Sequence, residues 1–484
     1  MARYVFYDTE TTGTDTVYDQ ILQFGAVLTD SELNELDRFE VRSRLLPHVV
    51  PAPGALLANR LSPATLVDPA LPTHYEALRL IAAKLECWSP AVFLGYNSIE
   101  FDEKLLRQSL YQTLQPVYVT NTRGNVRADV LRLVQAATTL APQSLSIPLA
   151  ANGKETRKLD AIAPANGFNH ANAHDAMADV KATIFMAKLV KTRAPRIWSA
   201  LMGLAPKPAA ISCLRRDDPL MLTEFYGGRP YSWPVIGCGC SPDSDTLGCV
   251  FDLRFDPSDF LRLSENDLVS VLLSPRKALR YVATNKQPIL IPFEIAPASL
   301  FGSNLSKAEF SQRAKTIRAD REFCEKACRA VARRFSTKDE PAQHVEEQIY
   351  DAFPCSSDAE LMRQFHLVPW DARIRIVDRL QDQRFRELGY RLIHVERPDV
   401  LAITTRSRLD AWHHERVLGT PGVSVPYRTF TDAIREAEDL ARTGERESAH
   451  QVYSIKKWLE QSEDRLTRSR MRPCAIPFVA ESAR

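Results

Sequence analysis

The chain has 484 residues, 45% of them hydrophobic and 25% charged, with a formal net charge of +2. These values describe an ordinary soluble globular protein of about three domains. They exclude a polycation that holds nucleic acid by bulk charge, and no apolar run approaches the roughly 20 residues that span a bilayer.

The opening residues, MARYVFYDTE, have no basic stretch ahead of an apolar one, so no secretory signal is expected and the expected compartment is the cytoplasm. Nine cysteines, an odd number without a disulfide-like rhythm, fit a reducing compartment.

Strand and helix signals alternate over the first 195 residues. Strands are predicted at Arg3–Asp8, Ile21–Thr29 and Phe39–Leu46, the last more polar. A helix follows over Tyr75–Cys87, with an apolar stripe at Leu78, Ile81, Ala82 and Leu85. Then come a buried strand at Ala91–Gly95, a helix at Glu103–Leu114 and a helix at Val180–Lys191. This order indicates an α/β domain with a mixed sheet.

Ala205–Ala210 (APKPAA) reads as a linker. Short strands punctuated by Gly and Pro follow (FYGGRPYSWPVIG, LGCVFDLRF, QPILIPFEI) and suggest a small β-barrel or sheet domain. One helix is predicted inside it. Ile317, Cys324, Cys328, Val331 and Phe335 form its apolar face, and eight Arg and Lys residues between Arg313 and Arg334 form the other. After about Val345 the pattern is helical to the end. The division is therefore 1–195, 196–344 and 345–484.

The chemistry begins at Tyr7-Asp8-Thr9-Glu10-Thr11. Residues two apart on a strand share a face, so Asp8 and Glu10 present two carboxylates side by side. Such a pair calls for a cation, and hard oxygen donors without nearby thiol or imidazole favour Mg²⁺ or Mn²⁺. An isolated pair of this kind is more often a solvated surface turn. Asp102, at the start of the Glu103 helix, taken alone is a plain cap. His174 and Asp179, in NHANAHDAMAD, stand at the entry and first turns of a further helix, where a lone His beside an Asp is usually structural. The three segments in this order are far rarer than any one of them.

Together they resemble the DEDDh exonuclease superfamily and, within it, the bacterial exodeoxyribonuclease I family. LGYNSIEFDEKLLRQ, ANGFNHANAHDAMADVKATIFMAKLVKTRAPR, YVATNKQPIL and QIYDAF carry the likeness, which is dense near the acids and sparse in the last hundred residues. The resemblance implies an RNase H-like exonuclease domain, an SH3-like β-barrel and a helical domain around a single DNA strand. It implies 3′→5′ hydrolysis of single-stranded DNA to 5′-mononucleotides in DNA repair and recombination, with two Mg²⁺ ions (or Mn²⁺) at Asp8, Glu10 and Asp179. Asp102 would act closely or through water. His174 would be the general base, and Glu10 would also touch the terminal 3′-hydroxyl.

Lys158 stands at a substrate-binding position where the family carries Arg, so the charge survives and the planar fork does not. Arg107, Tyr118 and Arg132 fall where the family contacts DNA, and Asn285 and Lys286 are further DNA-binding candidates. A solvated surface charge is the ordinary role of any one such Arg or Lys. The basic helix face could bind DNA or the acidic C-terminal tail of a single-stranded-DNA-binding protein, a partner the resemblance implies; a solvated face is the plain alternative. A monomer is expected. Rival readings are an RNA 3′-exonuclease, a proofreading subunit, or a non-catalytic DNA-binding scaffold, although the last predicts a missing carboxylate and none is missing. Cys238, Cys240 and Cys249 lack a fourth zinc ligand in the sequence, and Cys324 and Cys328 read as core.

Overall fold

The computed structural model describes residues 3–170, 174–275, 277–335, 342–420, 422–443 and 449–470. Ala171, Asn172 and Ala173, inside the His-Asp segment, lie outside the described residues.

The first sheet holds five strands: β1 (Tyr4–Thr11), β2 (Ile21–Thr29), β3 (Glu35–Arg42), β4 (Val92–Gly95) and β5 (Val126–Asp129), in the order β3-β2-β1-β4-β5. β1 pairs antiparallel with β2 and parallel with β4, which makes the sheet mixed. Every residue of β2 is buried, as its unbroken apolar run requires, whereas β3 is an exposed edge. That edge has little hydrophobic alternation, and β3 ends at Arg42 rather than at Leu46 as its pattern suggested.

Helix α1 (His74–Trp88) starts with a Thr73–Glu76 capping box and buries Leu78, Ile81 and Leu85 under one sheet face beside Val5, Tyr7 and Phe24. With them pack Leu105, Leu106 and Leu110 of α2 (Asp102–Gln112). The opposite face carries α3 (Val130–Leu140), which the sequence reading did not assign, and α4 (Ala176–Arg193). Each such fully buried Leu or Val is worth about 1.5–3 kcal/mol.

APKPAA is not a free linker, because Lys207–Cys213 is helical with Pro in its first turn. Beyond it lies a second sheet of β6 (Leu220–Tyr226), β7 (Arg229–Cys240), β8 (Leu247–Asp252), β9 (Leu279–Ala283) and β10 (Ile289–Pro292). All its pairings are antiparallel and its order is β10-β6-β7-β8-β9. Among the described residues β9 and β10 end on opposite edges, so the expected barrel is not closed. The sheet does not need to curl onto itself, because both faces are already covered. Met221, Ile236 and Phe251 pack with α5 (Lys307–Ala319) and α6 (Arg321–Phe335), while Leu222, Val235 and Val250 pack with Leu204, Cys213 and Leu214.

The single basic helix of the sequence reading is thus two, broken at Asp320, whose carboxylate accepts from the Phe323 amide at 2.8 Å. The apolar core runs without interruption from Phe6 and Val134 through Trp198 and Leu201 to Phe251 and Ile317. After residue 355 the described elements are helices, apart from one 3-10 turn, ending with Ala449–Arg470. No described helix is long and apolar enough to cross a membrane.

Candidate active site

Asp8 and Glu10 stand on the central strand β1, opposite Gly25 and Gln23 of β2. Gly25 has a geometric task. A Cβ there would come within 3.0 Å of the Ala176 and Met177 backbone. Its absence lets the N-terminus of α4 settle on β2 and brings Asp179, in the first turn of α4, over β1. Asp175 fixes this helix end. Its carboxylate caps the Ala178 amide and receives Gln23 Nε2 and Arg42 Nη2, each at 3.0 Å. As a result, carboxylate oxygens of Asp8, Glu10 and Asp179 lie within 4.8 Å of one another, the one group among the described residues drawn together tightly enough to hold a metal ion as it stands.

Asp102 arrives by a different route. β4 runs parallel to β1 and ends at Gly95, where a Cβ would collide with Ser98 and with the Tyr7 carbonyl at 2.8 Å. The turn after it launches α2 with Asp102 as its first residue. The Asp102 carboxylate accepts from the Thr9 amide at 3.0 Å and from its hydroxyl at 2.6 Å, between the two β1 acids in sequence. The neighbouring Glu103, 1% exposed, accepts from Tyr7 at 3.0 Å and Thr120 at 2.6 Å, which ties the same helix to β1 again.

The electrostatics follow from this crowding. Burial, then the charges of Asp102, Asp179 and Glu10, hold the Asp8 carboxyl well above the usual range. Burial, then Asp179, pushes Glu10 up to about 8. Burial raises Asp102 to about 7 and Asp179 to about 6. A group of carboxylates that retains protons near neutral pH is short of positive charge, and an all-oxygen donor set of this kind suits a hard divalent cation.

His174 is exposed, in the left-handed backbone region at φ 66°, and lines a cleft of about 300 Å³ with Glu10, Arg42, Asn59 and Arg60. The sequence reading did not single out His170. Its Nε2 lies 2.8 Å from Asp179 Oδ1, with its side chain only 2% exposed and its ring tilted against Phe168. The contact is close but not aligned as a hydrogen bond, since His170 Nδ1 and Asp179 Oδ1 both lack hydrogen-bond partners. The one signal in the sequence was a second histidine four residues before His174.

The residue 5–186 segment matches the RNase T exonuclease family model. Exodeoxyribonuclease I of Escherichia coli K12 is 29% identical over 380 residues, 74% of this chain and 78% of that protein. The Haemophilus influenzae exodeoxyribonuclease I is 26% identical over 439 residues, 85% of this chain and 89% of that one. Among solved structures, E. coli exonuclease I in complex with a dA16 oligonucleotide superimposes with a TM-score of 0.80 at 23% identity, covering 96% of this chain and all of that one. A moderately thermophilic exonuclease I from Methylocaldum szegediense gives 0.81 at 24% identity, with the same coverage. The chain belongs to the exonuclease I family.

As a DEDDh exonuclease of that family it carries further candidates in unequal settings. Arg107 stacks on Tyr118 at 4.8 Å and gives its Nε to Glu103 at 2.7 Å. Tyr118 in turn meets Phe353 at 5.6 Å, and Phe353 is 77% exposed. Arg132, on α3, and Lys286, in the turn between β9 and β10, converge on Glu100 at 3.7 and 3.0 Å, where Lys104 also binds at 3.1 Å. Asn285, beside Lys286, is half-buried. Lys158 is exposed at the N-terminal end of a short helix, next to a buried Arg157 that packs on Phe225.

Proposed function

We propose that this chain hydrolyses single-stranded DNA from the 3′ end to 5′-mononucleotides. The carrying observation is the cluster of Asp8, Glu10 and Asp179, with Asp102 adjoining it. Its raised proton affinity and its oxygen donors fit two Mg²⁺ ions, with Mn²⁺ as a substitute. Magnesium, when bound, would lower the pKa of the attacking water and stabilise the departing 3′-oxygen. Asp8, Glu10 and Asp179 would hold the ions, and Asp102, anchored by Thr9, would act beside them or through water. His174, at the cleft, accepts the proton of the attacking water, a task suited to imidazole near neutral pH. Glu10 also faces that cleft, where it would receive the terminal 3′-hydroxyl.

Support for a single DNA strand comes from the oligonucleotide complexes of the E. coli relative and from the exposed Phe353 ring against the half-buried Tyr118, on which Arg107 stacks. Successive bases stack on such rings without regard to sequence. Lys158, Arg132, Asn285 and Lys286 would follow the backbone. The exposed basic side of α6 would receive the acidic tail of a single-stranded-DNA-binding protein. The proposed setting is the bacterial cytoplasm, in DNA repair and recombination, with the protein as a monomer of three domains near 1–195, 196–344 and 345–484.

The test uses DNA labelled at either end, with duplex DNA and RNA controls, and the intact protein beside Asp8→Ala. Magnesium-dependent loss from the 3′ end of single-stranded DNA, abolished by the substitution, is expected. Preference for RNA, equal digestion of duplex DNA, or full activity in Asp8→Ala would overturn the proposal.

A further inference from the structure

The turn that carries β1 onward from Glu10 is built around one buried acid. The β1–β2 register shifts at Glu10–Thr11, and the chain loops through Thr12–Asp19 before β2 begins at Ile21. Asp19 is 7% exposed. Its carboxylate accepts from the Thr12 hydroxyl and from the Asp15 amide, each at 2.8 Å. Thr12 in turn receives the Gln20 amide on its hydroxyl at 2.8 Å and gives its own amide to the Gln20 carbonyl at 3.0 Å. A Cβ on Gly13 would collide with the Asp19 carboxylate, so the glycine lets the backbone close over it. Thr12 follows Glu10 by two residues, so this carboxylate fixes the end of the strand that carries the metal acids.

The donors on the turn are neutral, and a buried carboxylate also calls for a cation. Residues 11–20 contain no Arg, Lys or His. The cation arrives from far along the chain: Arg428 Nη1 lies 3.2 Å from Asp19 Oδ1 and also reaches the Val50 carbonyl at 3.4 Å. Among the described residues it is the one ion-pair partner of Asp19. Arg428 leads into helix α7 (Phe430–Thr443), whose start is fixed by reciprocal hydrogen bonds between Thr429 and Asp432. One turn further on, Glu436 accepts from the Gly54 amide at 2.9 Å, and Phe430 and Ala433 pack with Val50 and Leu56. The segment gripped in this way ends in the cleft wall: Asn59 and Arg60 stand there with Glu10, and Asn59 gives its Nδ2 to the Thr11 carbonyl at 3.1 Å. The turn is held a second time at Tyr18, whose hydroxyl gives to Glu347 at 2.8 Å and whose ring meets Tyr427 at 5.8 Å.

We propose that Arg428 is a positioning residue for the metal cluster, neutralising Asp19 so that the C-terminal helices set where β1 ends and where Glu10 stands. The proposal rests on the reading of the cluster as a magnesium site and adds a residue that touches neither metal nor DNA. A salt bridge that only joined two parts of the chain would end on a surface acid of little consequence. This one ends on the acid that organises the turn leading out of the metal strand.

The test compares the intact protein with Arg428→Ala, Arg428→Gln and Arg428→Lys, and with Arg435→Ala as a control on the exposed side of α7. In chelator, amide exchange across residues 12–20 should speed up in the alanine and glutamine variants. Magnesium affinity, read by titration calorimetry without DNA, should fall about 10–100-fold in both. Lysine should restore part of the loss, since it returns the charge without the planar fork. On single-stranded DNA, kcat at a fixed magnesium concentration should fall while KM holds. Wild-type magnesium affinity in Arg428→Ala overturns the proposal, as does wild-type affinity in Arg428→Gln should the alanine variant not fold. An equal loss in Arg435→Ala overturns it too. A wild-type protein that binds magnesium yet leaves single-stranded DNA intact would instead overturn the proposed function, with the calorimetry and the exchange still deciding the role of Arg428.

Discussion

Replacing Glu10 by Gln removes one charge from the crowded carboxylates while keeping the shape of the side chain. In the metal-free protein Glu10 is raised from 4.5 to about 8, chiefly by burial and next by Asp179. An acid whose affinity for protons rises on folding contributes stability below its unfolded value and loses it as pH climbs toward its folded one. The window is therefore about pH 4.5 to 8, with stability falling by ~1.4 kcal/mol for each pH step within it. At pH 7 the wild-type protein has lost about 3 kcal/mol at this residue, which Glu10→Gln does not lose. For a domain of this size that is a gain of roughly 6–12 °C in Tm. The assay is thermal unfolding in a chelator across pH 4 to 8, wild type against variant, repeated with saturating magnesium. The variant should melt higher near neutral pH, match wild type near pH 4, and lose its advantage when magnesium is present. Parallel Tm curves across the range would refute the claim that this cluster lacks positive charge.

The glycine opposite Asp8 supplies a second test: Gly25→Ala presses a methyl group to 3.0 Å from the α4 backbone, so magnesium affinity should fall about tenfold or more with the circular dichroism spectrum unchanged. The two histidines should separate by assay. His174→Ala should lower kcat by about 10²–10⁴ and alter the pH–rate profile, whereas His170→Ala should mainly weaken magnesium binding, read by titration calorimetry. Phe353→Ala should cost about 1–3 kcal/mol of single-strand binding, measured as a rise in KM at unchanged kcat. Glu100→Gln should free Lys104, Arg132 and Lys286 together, tightening single-strand binding and steepening its dependence on salt; an unchanged salt slope would show that these cations lie off the DNA path.

What could be read in the sequence was what short-range periodicity controls. Asp8 and Glu10 share a face because strands repeat every two residues, and β1 does place both in the cluster. The α1 stripe was legible because helical spacing marks the buried side. Most of the missed or altered features depend on long-range contacts. Strand composition left barrel and sheet as alternatives and the family resemblance implied the barrel, but neither says whether α5 and α6 will cover the sheet first. The break at Asp320 lies within one continuous amphipathic pattern and is set by a cap. His170 and His174 are indistinguishable as letters. Only the settling of α4 onto Gly25 turns one ring toward Asp179 and leaves the other exposed at the cleft.

The same distinction governs the charged residues. That Asp8 and Glu10 stand side by side can be argued from one strand, since proximity there is guaranteed by covalent geometry. The worth of a surface Arg or Lys cannot, because it depends on which acid the fold brings to it. Arg132 and Lys286 look equally free in the sequence, yet the fold gives both to Glu100, along with Lys104. Arg107 is held by Glu103, so what it offers a DNA strand is a guanidinium fixed over Tyr118 rather than a mobile charge. A fixed plane over Tyr118, beside the exposed Phe353 ring, recognises stacked bases more than phosphates. Affinity on this side of the molecule should therefore depend less on salt than the number of nearby cations suggests.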